Sequence, residues 1–204
     1  MKLKVLITAV ILCLPMFVLG QDIYFKSGLN LTNYQFKDIN GKKAEGLISD
    51  IGSSYEIGFG LPLPNEWFKY ELGIALDSYN STGGDFSNSY SWNTNYGGIK
   101  NTLSFLPTEG EFNYSFFAVG AASTIINGNQ VINTSRYELT SHPDFKGILL
   151  QTGLGLSASY NIFNQGFISL QYDFTKSFKV GEKTVEKLSF LNNRILLGIH
   201  FNFY

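Results

Sequence analysis

Two histidines, His142 and His200, and one cysteine, Cys13, are all the imidazole and thiol chemistry in this chain of 204 residues. A metal centre needs such ligands clustered, and a hydrolase needs a nucleophile, a base and an orienting group within hydrogen-bond reach. Neither is written in the local sequence. The histidines are far apart, and no GxSxG, HExxH or paired-histidine spacing is present. The expectation is therefore no catalytic residue, no metal and no cofactor. His200 falls on the polar face of its segment and reads as an internal hydrogen-bond partner; His142, beside Pro143, reads as a solvated loop residue.

The remaining chemistry is ionic. Lys26, Lys69, Lys100 and Arg194 fall on the polar parity of their segments, as do Glu56, Glu71, Asp77 and Asp173. Charges taken out of water are tolerable only when paired and hydrogen-bonded, and four of each sign can pair. These eight form a candidate ion-pair network. A selective pore would need an excess of one sign instead. A second candidate is the stretch NSTGGDFSNSYSWNTNY, where Ser, Asn and Gly surround Tyr90, Trp92 and Tyr96. Adaptable polar groups around rigid aromatic anchors are the composition of a binding loop, and equally of a bare hydrophilic one.

The elements that must position these residues repeat with a period of two. Eight alternating segments run approximately over 23–34, 53–63, 67–79, 96–106, 112–125, 147–162, 166–178 and 194–204. Each has the length a tilted strand needs to cross a bilayer, roughly 9–11 residues, with some overhang. Ile195, Leu197, Ile199, Phe201 and Phe203 share one face of the last, against Arg194, Gly198, His200 and Asn202. Around Phe116–Val119 both faces are apolar, and the orientation of that strand stays open. Three connections are tight turns (PLPNE, PTEGE, FNQG), and they alternate with four long ones. Short turns at one end and long loops at the other predict an all-β, eight-stranded antiparallel up-and-down transmembrane barrel. A secreted sandwich or lipocalin-like barrel gives no reason for that alternation. Aromatics near the segment ends, among them Tyr24, Trp67 and Phe112 on one side and Tyr34, Tyr79, Tyr96 and Phe178 on the other, read as interfacial girdles.

The first twenty residues carry Lys2 and Lys4 ahead of an apolar run, the pattern of a cleavable signal peptide. The organisation is then residues 1–20 as signal and 21–204 as the barrel domain, exported to the cell outer membrane of a Gram-negative cell. Removing the two lysines leaves 13 basic against 16 acidic residues and no block of like charge, which argues against nucleic acid as a partner.

The segment FKSGLNLTNYQF, through Lys26, Gly28, Leu29, Asn30, Thr32 and Asn33, resembles the opening of the PorT-like outer-membrane barrels of Bacteroidetes. Gly198, Phe201 and Phe203 resemble the C-terminal β-signal read by the barrel-assembly machinery, with Tyr204 one residue beyond the usual terminal Phe. The resemblance implies an outer-membrane location and this fold and suggests partner binding; the expected function is a non-enzymatic barrel, a scaffold or accessory subunit of an envelope or secretion complex. Its expected partners are outer-membrane lipid, the assembly machinery during biogenesis and other envelope proteins. Adhesion or binding through the long loops is the alternative; a lipid-acting enzyme is a weaker third.

Overall fold

A computed structural model describes residues 21–37, 47–64, 67–84, 89–107, 110–163, 165–180 and 187–203. The signal-peptide assignment for residues 1–20, Cys13 within it, and Tyr204 lie outside the described residues. Among the described residues nine strands are present: β1 (Gln21–Lys37), β2 (Leu47–Pro62), β3 (Phe68–Gly84), β4 (Ser89–Phe105), β5 (Phe112–Ile132), β6 (Ser135–Glu138), β7 (Ile148–Phe163), β8 (Gly166–Val180) and β9 (Lys187–Phe203). Eight of them form the wall, each antiparallel to its sequence neighbour. β9 pairs with β1, from Gln21 opposite Phe203 to Lys37 opposite Lys187, so the sheet closes into an eight-stranded barrel. The ninth, β6, folds back on the end of β5 as a short hairpin outside the closed wall.

Closure follows from the two-residue period. On β8 the inward Ser169, Gln171, Asp173, Thr175 and Ser177 are buried, while Leu170, Tyr172, Phe174 and Phe178 are exposed. β9 and β3 repeat the pattern, with Leu197 and Ile199 outward and Arg194 and His200 inward, Leu72, Ile74 and Leu76 outward and Glu71 and Asp77 inward. The open orientation of β5 is settled: Phe117 and Val119 face the interior and Phe116 faces out.

The wall is taller than the segments read from hydropathy. Observed strands run 15 to 21 residues, apart from the four-residue β6. On β3 the outward row changes from Leu72, Ile74 and Leu76 to Ser78, Asn80 and Thr82, yet pairing with β4 continues to Gly84 opposite Ser89. The long connections are thus partly hydrogen-bonded ribbon rising beyond the apolar band. Both faces of that ribbon are polar, so the alternation that marks a strand fades while the backbone ladder goes on.

The girdle assignment at the long-loop side is corrected too. Tyr34, Tyr79 and Tyr96 point inward and are buried, as is Tyr24 near the opposite end. Phe178 is exposed, and at the short-turn side Trp67 and Phe112 are exposed and pack on Phe105 and Tyr160 respectively. A phenol carries its own polar handle, so a tyrosine on the polar parity fills the lumen with its ring and hydrogen-bonds through its tip.

Candidate functional site

The interior is layered from the short-turn end to the long-loop end. In the middle layer the structure brings together all eight residues of the charged set. Lys26 Nζ lies 2.5 Å from Glu71 Oε2, and Lys100 Nζ lies 2.7 Å from Glu56 Oε2 and 3.7 Å from Asp173 Oδ2. Arg194 bridges two carboxylates, its Nε 2.7 Å from Asp173 Oδ1 and its Nη1 3.0 Å from Asp77 Oδ2. Lys69 Nζ is 3.0 Å from Glu71 Oε1 and 2.7 Å from Asp22 Oδ2. Neutral donors complete the layer: Tyr24 Oη donates to Glu56 Oε1 at 2.7 Å, and Ser54 Oγ to Asp77 Oδ1 at 2.5 Å. Tyr24 lies across its register partner Gly58 and over Gly73 on the next strand; a Cβ at these positions would stand 2.6 and 2.4 Å from the phenol oxygen.

Asp22 belongs to this set and is missing from the sequence reading. Alternation starts the first strand at Ile23, two residues after the observed start at Gln21, although Asp22 shares the inward parity of Tyr24 and Lys26. It makes the layer five carboxylates against four cations.

Toward the long loops the lumen is apolar. Tyr34, Tyr79, Tyr96 and Phe190 pack with Leu149 and Leu188 into one cluster. The segment after β6 completes it by inserting Leu139 and Phe145 into the barrel mouth. A tight turn sets these two residues, in which the Leu139 carbonyl accepts from His142 N at 3.1 Å and the His142 carbonyl from Phe145 N at 3.0 Å. His142 itself is half exposed, with Nδ1 3.4 Å from Asp144 Oδ2. The ionic layer occupies the middle of the described lumen, and Leu139 and Phe145 pack into its long-loop mouth.

The aromatic trio expected in a binding loop is placed otherwise. Tyr90, Trp92 and Tyr96 all lie in β4, paired with both β3 and β5. Tyr96 is buried in the plug, and Trp92 stacks on Tyr34 at 5.7 Å between ring centroids. Their side chains hold the ribbon to the plug, because the inward parity of β4 runs on from Lys100 through Tyr96 to Trp92. In the candidate β-signal, Gly198 faces inward and Phe201 outward, and Phe203 ends β9 opposite Gln21; the Phe203 side chain lies outside the described residues.

At the short-turn end the lumen opens into a polar cavity of about 340 Å³. Asp22 from β1, His200 from β9 and Ser169 from β8 sit side by side on its wall. His200 Nδ1 is 2.8 Å from Asp22 Oδ2, and its Nε2 is 3.1 Å from Ser169 Oγ. The ligating atoms of Asp22, Glu71 and His200 cluster closely enough to hold a metal ion. Lys69, bonded to both carboxylates, already supplies the positive charge there. Sequence reading placed His200 and Ser169 on inward faces. It could not join them to Asp22, because the three are neighbours only through the β1–β9 closure and the β8–β9 pairing.

A closed antiparallel barrel with an ionic lumen and an apolar exterior defines a membrane-spanning β-barrel. No protein-family model matches the chain, and no curated protein sequence matches it. Solved structures do. Neisserial surface protein A is 12% identical with a TM-score of 0.48, over 89% of this chain and 97% of that one. Ail, the attachment invasion locus protein of Yersinia pestis, in complex with the heparin analogue sucrose octasulfate, is 12% identical with a TM-score of 0.46, over 89% and 99%. The outer membrane protein OprG of Pseudomonas aeruginosa is 13% identical with a TM-score of 0.45, over 91% and 97%.

Proposed function

We propose that this protein is an integral outer-membrane barrel acting as a scaffold or accessory subunit of an envelope complex. The observation that carries the reading is the filled lumen inside an apolar shell. An ion-pair layer in the middle of the lumen and Leu139 and Phe145 in its mouth make the interior a packed support, which leaves the two ends as the working surfaces. The short turns face the periplasm and the β3–β6 ribbon rises outside, as in barrels of this architecture. The PorT-like opening around Lys26–Asn33 supports a place among secretion and envelope assemblies, and Gly198, Phe201 and Phe203 support insertion by the assembly machinery.

A second reading has its own observation: β5 and β6 extend past the apolar band with Ile132 and Tyr137 exposed, a rigid surface suited to adhesion. Native co-purification from outer membranes separates the two. A stable stoichiometric partner retained after deletion of residues 129–138 supports the scaffold. Attachment to a surface ligand that this deletion abolishes, with no envelope partner recovered, transfers the function to the ribbon.

A further inference from the structure

The wall of the short-turn cavity carries more than a scaffold needs. Asp22, His200 and Ser169 are linked in that order by hydrogen bonds of 2.8 and 3.1 Å. A carboxylate can only accept, so the neutral imidazole carries its proton on Nδ1. Nε2 then presents its lone pair to Ser169, whose hydroxyl is the donor. An oriented base hydrogen-bonded to a hydroxyl is the arrangement by which hydrolases activate serine.

Three further features hold the line in place. Phe167 stacks on the imidazole at 4.1 Å between centroids and 13° between planes, fixing the ring. Gly198 lies opposite Ser169 across the β8–β9 ladder, where a Cβ would stand 2.4 Å from Ser169 Oγ and 3.1 Å from His200 Nε2. The serine–histidine contact exists because position 198 has no side chain. Lys69, 2.7 Å from Asp22 Oδ2, keeps the orienting carboxylate's charge paired.

What separates this line from the Lys100–Glu56 and Arg194 ion pairs is the space in front of it. Lys100, Glu56 and Arg194 face other side chains; Ser169 and His200 line an open volume of about 340 Å³. That size lies at the lower end of small-molecule sites, which run roughly 300–1,000 Å³. The cavity reaches the short-turn rim, where Pro62, Leu106, Gly110 and Asn202 line it. Ser159, paired with Ser169 across the β7–β8 ladder, and Ser157, Ser115 and Ser104 also line it. Such a wall fits a polar, hydroxyl-bearing alcohol, and the volume fits only a short acyl chain.

We propose that Ser169 is a nucleophile and that this cavity hydrolyses a short-chain carboxylic ester of a polar alcohol entering from the short-turn end. Ser169 Oγ adds to the carbonyl carbon while its proton passes to His200 Nε2. The tetrahedral adduct expels the alcohol, which leaves with that proton. A water molecule, deprotonated by His200, then adds to the acyl-serine. The acyl–oxygen bond breaks, the carboxylic acid departs and Ser169 regains its proton. Asp22 orients the imidazole throughout, and the ammonium groups of Lys26 and Lys69, which line the same cavity, supply its positive charge.

The test uses the full mature barrel folded in detergent micelles, treated with diisopropyl fluorophosphate and mapped by peptide mass spectrometry, with p-nitrophenyl acetate turnover measured alongside. The expected result is an adduct on Ser169, lost in Ser169→Ala. His200→Gln should slow both labelling and turnover by about 10²-fold, and Asp22→Asn should slow both by a smaller factor. Ser135→Ala, on the exposed β6 hairpin away from the cavity, should label at the wild-type rate. If Ser169→Ala fails to fold by heat-modifiable mobility, the wild-type peptide map decides alone. No adduct on Ser169, or His200→Gln labelling at the wild-type rate, overturns the proposal. Labelling without ester turnover above that of Ser169→Ala overturns the hydrolysis.

Discussion

Arg194 sits between two buried carboxylates, Asp77 and Asp173, 117 and 21 residues away in sequence. Replacing it with methionine keeps much of the volume and strands both acids in a lumen where each is at most 5% exposed. Uncompensated buried charge of this kind costs about 3–5 kcal/mol. Arg194→Met should therefore lower the urea midpoint for loss of the heat-resistant gel form. Adding Asp77→Asn and Asp173→Asn should restore most of the loss, because the cost lies in the orphaned charges and not in the missing contact. At this scale the sequence was half legible. Parity gives the inward face of each of the eight charged residues, since a strand turns alternate side chains to alternate sides. Parity carries neither height nor azimuth, so the partner of each charge, and the Asp22–His200–Ser169 line, emerge only when the ladders are in register.

The strands themselves were legible where lipid touches them and illegible above it. Apolar alternation marks Leu72–Leu76 on β3, but Asn80–Gly84 is polar on both faces and still pairs with β4. Hydropathy therefore ends strands at the edge of the apolar band and leaves Tyr90 and Trp92 in a connection. The same blindness hid the plug, because Leu139 and Phe145 stand singly in a polar stretch with no period to give them away. Their role is testable at the level of the element. Leu139→Ser with Phe145→Ser removes the apolar anchors of the segment between β6 and β7 without touching a wall strand. Limited proteolysis should then cut within residues 139–147 at least tenfold faster, while heat-modifiable mobility persists. Loss of the folded form in this variant would instead make the plug part of the barrel's core stability.

For the whole molecule, the decisive claim is that the apolar exterior faces a bilayer. β9 supplies both the sensor and its control. Leu197 lies at the centre of the outward row Ile195, Leu197, Ile199 and Phe201, while Asn193 lies on the same face at the polar edge of the band. Around the wall the same belt is continued by Phe25, Ile57, Ile74, Ile99, Phe116, Leu156 and Leu170, all exposed. A soluble barrel would be indifferent to which of the two positions on β9 receives a charge, or would be improved by it at the apolar one. A lipid slab is not, because arginine costs about 2–4 kcal/mol at the bilayer midplane and about 0–1 near the interface. Leu197→Arg should therefore weaken folding into phosphatidylcholine vesicles by that larger amount in reversible urea titrations, and Asn193→Arg by the smaller. Equal costs at the two positions, or none at Leu197, would contradict a membrane around this belt. A steep difference would fix the depth of β9, and with it the level at which the short-turn cavity meets the periplasm.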